Sequence, residues 1–203
     1  TEKAQKARQI LIVRGVAVDL DRLFSAGAEH LACKRGRHVD RRNVINIWLK
    51  PKLRDLVSFS KETGVLPCYQ NHSGSKNIGA PVWDMAYLMR DYKPDELAWS
   101  FDIMHAMIEG QKSWPIEVNL VHEHIGVAYF KNIRWTTGGH EPAPLGEGVV
   151  TKAYVDLLKK LNWRGPVSLH VEYLKGGLKD DGYFKGAVAA TKRDMAVLKS
   201  WWG

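Results

Sequence analysis

Residues 97–105 read LAWSFDIMH. Leu97 to Ile103 is a short, mostly apolar run that carries Asp102 near its end, with His105 three positions further on. Its length and composition predict a buried strand with chemistry-bearing side chains at its C-terminal end. The arrangement recurs outward along the chain. Val65 to Tyr69 predicts a strand followed by Gln70-Asn71-His72, and Ile125 to Phe130 one followed by Lys131-Asn132. Val167 to Tyr173 predicts a further strand that carries His170 and Glu172.

Helical spacing fills the intervals. Leu53, Leu56, Val57 and Phe59 share one face before the helix stop at Gly64; Trp83, Tyr87 and Leu88 mark a second helix. Another helix begins near Trp114-Pro115, one carries Tyr154, Leu157, Leu158 and Leu161, and the last runs from Ala187 to Trp202. Ile10 to Val13 and His30 to Cys33 predict two earlier strands around an Asp19 to Ala26 helix. Strands separated by helices pair in parallel through crossover connections.

An open doubly wound sheet and a closed barrel both satisfy that rhythm. The open sheet needs a glycine-rich phosphate loop after its first strand, and Arg14-Gly15-Val16-Ala17-Val18 is not one. A barrel gathers its functional side chains at the C-terminal ends of several strands, where this chain has them. The expectation is therefore an α/β fold, a (β/α)8 TIM barrel forming a single domain over residues 1–203. About six β/α units are visible, so one or two N-terminal units are expected to be missing or degraded.

The 203 residues, 45% hydrophobic and 26% charged, exclude a disordered chain and a disulfide-dependent mini-scaffold. No stretch approaches the ~20 apolar residues of a membrane span. Thr1 to Arg8 is polar, with no signal-peptide core; a cytoplasmic protein and one exported after loss of a leader are both compatible with this start. Cys33 and Cys68 sit in apolar runs and predict free thiols. The net charge is +8, of which 11 basic and 5 acidic residues up to Lys50 supply +6. Its densest stretch spans Lys34, Arg35, Arg37, Arg41 and Arg42. No zinc-finger, helix-turn-helix or RNP-like pattern accompanies it, which argues against a nucleic-acid partner.

Several of the strand-end residues suit one cavity. A carboxylate such as Asp102 can bind a divalent metal, and His105 can reach the same space. Gln70-Asn71-His72-Ser73 places four polar side chains directly after an apolar strand, costly to bury unless they bind something. His170 and Glu172 share a strand face by the period of two, and Lys131 shares one with Tyr129. Trp135 is placed at the pocket rim. His122-Glu123-His124 has metal-like spacing but precedes its strand, which puts it on the opposite, bottom face.

YQNHSG (69–74), FDIMHAMIEG (101–110), YFKNIRW (129–135), PLGEG (144–148) and GPVSLHVEY (165–173) together resemble the xylose isomerase-like TIM-barrel superfamily, within it the sugar phosphate isomerases/epimerases. The resemblance covers the last two thirds of the chain. It implies a divalent metal (Mn, Mg or Zn) at the barrel mouth, held by a glutamate, an aspartate, a histidine and a second glutamate. The aspartate matches Asp102, with His105 in the substrate-contacting place. The first glutamate falls on Gln70, the histidine near Tyr129, and the second glutamate on His170 or Glu172. The family's lysine-aspartate becomes Lys131-Asn132. Barrels of this family often associate, so a homo-oligomer is compatible with the resemblance.

The expected function is a sugar isomerase/epimerase-like enzyme that abstracts a proton next to the carbonyl of a sugar or keto-sugar with help from the metal. Asp102, Gln70, His170 and Glu172 would surround the ion. Glu172, His170 and Lys131 would be catalytic, and Asn71, His72, His105 and Trp135 would bind a small carbohydrate. Because Gln70 cannot act as a base, a symmetric two-base epimerisation is disfavoured. The alternatives are a lyase or hydrolase acting on an oxidised (keto) glycoside, a non-catalytic carbohydrate-binding barrel and, less favoured, an endonuclease IV-like nuclease.

Overall fold

The computed structural model describes residues 49–74, 77, 79–177 and 181–203. The two early strands, the helix between them, Cys33 and the basic stretch lie outside the described residues. The elements run α1 (Lys50–Thr63), β1 (Cys68–Gln70), α2 (Val82–Met89), β2 (Ala98–Asp102), α3 (Ile103–Gly110) and α4 (Trp114–Val121). After them come β3 (Ile125–Phe130), β4 (Asn132–Thr136), β5 (Gly139–Ala143), α5 (Lys152–Lys160), β6 (Val167–Leu169) and α6 (Asp181–Trp202).

Strands β1, β2, β3 and β6 form a parallel sheet in that order, and β4 and β5 a separate antiparallel hairpin. The register aligns Gln70 with Ser100, Asp102 with Tyr129, and Phe130 with Leu169. All four C-terminal ends therefore open on one side. Every residue of β2 is buried, as expected of a strand covered on both faces. Trp99, Phe101, Phe130 and Tyr154 are among the largest fully buried side chains, and α1 and α2 close over them with Leu53, Met85 and Leu88.

Local chemistry explains the boundaries. Helix α1 ends at Gly64, whose φ of 71° lets its N–H reach the Ser60 carbonyl. Helix α5 is capped by the Thr151 side chain. The Trp163 indole donates to the Ile125 carbonyl at 2.7 Å and fastens the turn after α5 to the start of β3. At the other end of the chain, Lys159 donates to the Trp202 carbonyl and Trp202 packs edge-on to Phe130.

Three expectations are corrected. The strand expected to run to Ile103 stops at Asp102, and an eight-residue helix that was not expected, α3, begins at Ile103 and carries His105. The last strand ends at Leu169, so His170 and Glu172 lie beyond it and the two-residue alternation does not govern them. A hairpin, β4–β5, stands where no element was expected, and Asn132 ties its base to the following loop. The Asn132 Oδ1 accepts from Val150 N at 2.8 Å and its Nδ2 donates to the Pro144 carbonyl at 3.0 Å. Trp99 is buried, whereas Trp83 is 46% exposed on α2.

The ends of β1 and β2 are locked together by one side chain. Asn71 accepts from Asp102 N at 2.7 Å and donates to the Asp102 carbonyl at 2.9 Å, with no exposed surface. Asn71→Ala strands two buried backbone groups and is expected to cost about 2–4 kcal/mol, readable in denaturant unfolding.

Glu117 on α4 is 1% exposed, and its Oε2 makes no hydrogen bond. Burial, with Glu109 nearby as a like charge, pushes its carboxyl up to about 7. A carboxyl whose pKa is raised on folding contributes stability at low pH that is lost as the pH climbs through the folded value. Stability is therefore expected to fall as the pH rises from about 4.5 to about 7, and Glu117→Gln to remove that fall.

Candidate active site

Asp102 is the centre of the cluster at the strand ends. It is the N-cap of α3, its Oδ1 accepting from Met104 N at 3.1 Å and His105 N at 3.3 Å. Its Oδ2 accepts from Gln70 Nε2 at 2.9 Å and meets Lys131 Nζ at 3.2 Å. The residue has no exposed surface. Burial pushes its carboxyl up, against the opposing pull of the Lys131 ammonium and the Gln70 and backbone hydrogen bonds. Unpaired, such a carboxylate could not stay charged.

Lys131 follows β3 directly and is 5% exposed. Its Nζ also donates to both oxygens of Glu172, at 3.2 and 3.3 Å, so one ammonium bridges a sealed carboxylate and an open one. The Glu172 side chain is 48% exposed, which puts it at the solvent boundary of the cluster. The His170 Nδ1 lies 3.9 Å from Glu172, its Nε2 lies 3.1 Å from the Ser168 hydroxyl, and its ring packs on Tyr129 with centroids 4.4 Å apart.

The β1–α2 loop completes the mouth. His72 and His105 stack with ring centroids 4.0 Å apart, and the Ser73 hydroxyl lies 2.9 Å from His105 Nδ1. Gly74 N donates to Glu109 of α3 at 2.7 Å, holding the loop over the helix. His105 is buried; desolvation, then the nearby Lys131 charge, lowers its pKa to about 2, so the imidazole is neutral. Its Nε2 makes no hydrogen bond and lies 3.8 Å from Asp102 Oδ2. With the Ser73 hydroxyl donating to Nδ1, Nε2 carries the proton and presents a neutral N–H to the cluster.

Gln70, Asp102, His105, Lys131, His170 and Glu172 thus come together in one chain of contacts. Asn71 is fully buried, and both ends of its amide bond the Asp102 backbone. His72 is reached through His105. Trp135 stands apart on the hairpin, 48% exposed and edge-on to His140 at 5.9 Å. His122 and His124 bond the Asn119 and Tyr92 carbonyls at the start of β3, away from the mouth. Residues that sequence reasoning missed are Ser73, Glu109, Ser168 and His140, the last close enough to oppose a charge on His105. Only Ser73 carried a signal, its place in the polar run after β1; Glu109, Ser168 and His140 stand on α3, β6 and β5.

The donor set does not fit a divalent metal. A metal needs free carboxylate lone pairs or neutral imidazoles pointed at one spot. Both Asp102 oxygens are already filled by donors, one of them an ammonium. Gln70 turns its NH2 toward Asp102, and Tyr129 supplies a phenol where an imidazole is expected. Among the described residues, no three His, Cys, Asp or Glu side chains are arranged to hold an ion. No helix among them is long and apolar enough to cross a membrane.

The geometry agrees with what the chain is similar to. No curated protein sequence matches it. Similar solved structures include a xylose isomerase domain protein from Planctomyces limnophilus, 15% identical with a TM-score of 0.53, over 91% of this chain and 66% of that one. A D-tagatose 3-epimerase-like protein is 17% identical with a TM-score of 0.53, over 78% and 57%. The 3-keto-D-glucoside 4-epimerase YcjR from E. coli, in its apo form, is 14% identical with a TM-score of 0.51, over 87% and 70%. The chain thus spans roughly two thirds of the length of the structures it resembles. The family model described as xylose isomerase-like TIM barrel matches residues 9–201, nearly the whole sequence, and the chain belongs to that family.

Proposed function

We propose that this chain is a sugar isomerase/epimerase-like enzyme that removes a proton next to the carbonyl of a sugar or keto-sugar. The observation that carries this reading is the Lys131 ammonium, held between buried Asp102 and half-exposed Glu172 at 3.2 Å from each. Such a pairing sets a base beside a fixed positive charge, the two groups an enolisation requires.

In the proposed step the Glu172 carboxylate takes the proton from the carbon next to the carbonyl. The C–H electron pair moves into a new carbon–carbon double bond, and the carbonyl electrons move onto oxygen. The Lys131 ammonium and the neutral His105 N–H stabilise that oxygen. Preorganised donors of this kind are worth more in a water-poor site than in solution, because they need not reorient as charge develops. Return of the proton from Glu172 to the neighbouring carbon, with the hydroxyl proton passing between the two oxygens, completes an isomerisation. His170, beside Glu172, orients the base.

Gln70 favours a second reading over two-base epimerisation. A neutral amide cannot take a proton from the opposite face of the sugar, whereas elimination from a keto-glycoside needs one base only. There the same enolate would expel the glycosidic oxygen, which leaves with the proton held by Glu172. The sugar epimerases among the similar structures support a carbohydrate substrate for either course.

Proton–deuterium exchange next to the carbonyl, followed by NMR over a panel of keto-sugars and keto-glycosides, tests the reading. Glu172→Gln is expected to slow exchange roughly 100- to 10,000-fold while leaving the melting temperature near the parent's. Exchange at the parent rate in that variant would remove Glu172 as the base. Binding of a sugar with no exchange in the parent would make the barrel a carbohydrate-binding protein.

A further inference from the structure

We infer that this mouth carries its cation as a side chain: the Lys131 ammonium holds the place of a divalent ion, and the site binds its ligand without metal. The inference concerns the same mouth as the proposed reaction, but it does not depend on which sugar is bound or turned over.

Three observations converge. The ammonium is 5% exposed and lies 3.2 Å from Asp102 Oδ2 and 3.2 and 3.3 Å from the two Glu172 oxygens, so it already sits where the negative charge of the cluster is focused. A divalent ion close enough to ligate Asp102 Oδ2 would lie against a like charge in a poorly solvated setting, where repulsion is weakly screened. The side chains around it have lost metal character in step: Gln70 is neutral and donates to Asp102, and the Tyr129 ring packs on His170.

Charge balance points the same way. Asp102 and Glu172 supply two carboxylates to the cluster and Lys131 one ammonium, a formal −1 over these three groups. Without the lysine it would carry −2 and an adjacent imidazole, His170, which is the kind of set that divalent metals take. The ammonium therefore does part of the neutralising that an ion would do, as a fixed point charge with three donor directions. Those donors meet Asp102 Oδ2 and both Glu172 oxygens. A carbonyl or anionic oxygen of a ligand would share the ammonium with half-exposed Glu172 and meet the unbonded His105 Nε2.

The test is metal binding by the purified chain, prepared without chelator or nickel resin and dialysed against manganese or zinc. Elemental analysis and calorimetric titration are read beside melting temperatures with and without metal. The parent is expected to hold no stoichiometric ion and to melt at the same temperature in EDTA and in manganese. A site filled to 100 times its dissociation constant would instead raise the melting temperature by roughly 5–10 °C. Lys131→Ala with Gln70→Glu is expected to gain metal affinity by roughly 100-fold or more, since it removes the like charge and restores a carboxylate. If the double variant folds only with metal, that rescue is itself the gain; the single Lys131→Ala variant serves if the double one does not fold at all. A stoichiometric ion in the parent that Asp102→Asn releases would overturn the inference, as would variants that gain nothing. Neither result bears on deuterium exchange, so the reaction and the metal question fail separately.

Discussion

A carboxylate with no exposed surface, Asp102, organises the described part of this barrel. Such a group is tolerated only when donors surround it, and each donor here comes from a different element. The N-terminus of α3 supplies two backbone N–H groups, β1 supplies Gln70, and the end of β3 supplies Lys131. Asn71 adds the backbone of Asp102 itself. One desolvated charge thereby fixes the relative placement of β1, β2, α3 and β3 at the end of the sheet where ligands meet barrels of this kind.

The same constraint shapes the chemistry. Lys131 cannot leave Asp102 without exposing an unpaired buried charge, so its ammonium is a permanent feature of the mouth. Glu172, half in solvent, is the partner on the open side of that ammonium. His105 is kept neutral by burial and by that same ammonium, which makes it a hydrogen-bond donor or acceptor in place of a second cation. The mouth thus separates its charged groups by burial: Asp102 and Lys131 are sealed, and Glu172 is half-exposed.

Sequence reasoning recovered much of the architecture. The β3 limits agree with Ile125–Phe130, and α1, α2, α4 and α5 fall where apolar spacing and Gly64 or Pro115 put them; the last helix ends at Trp202 as expected but begins at Asp181, six residues before Ala187. It carried the second strand one residue too far, to Ile103, and missed α3 because strand and helix both present apolar runs, and only the hydrogen bonds of a cap tell where one gives way to the other. It missed β4–β5 because that hairpin is largely exposed and lacks a continuous alternating pattern. Asn71 looked like a ligand because polar residues after a strand signal binding and backbone clamping alike.

What the linear order of residues determined by itself is the α/β rhythm, the parallel pairing and the clustering of polar side chains at strand ends, because these follow from periodicity and from the handedness of crossovers. It also carried Gln70, the neutral residue that stands where the resemblance implies a glutamate, and Lys131, the cation of the site. Tertiary structure alone decided what those charges do to one another. Whether Asp102 faces a metal, a lysine or water depends on which side chains 30 to 70 positions apart arrive within hydrogen-bond distance, and on how completely water is excluded when they do. Coulombic strength depends on that distance and on that exclusion, and neither is written in local spacing.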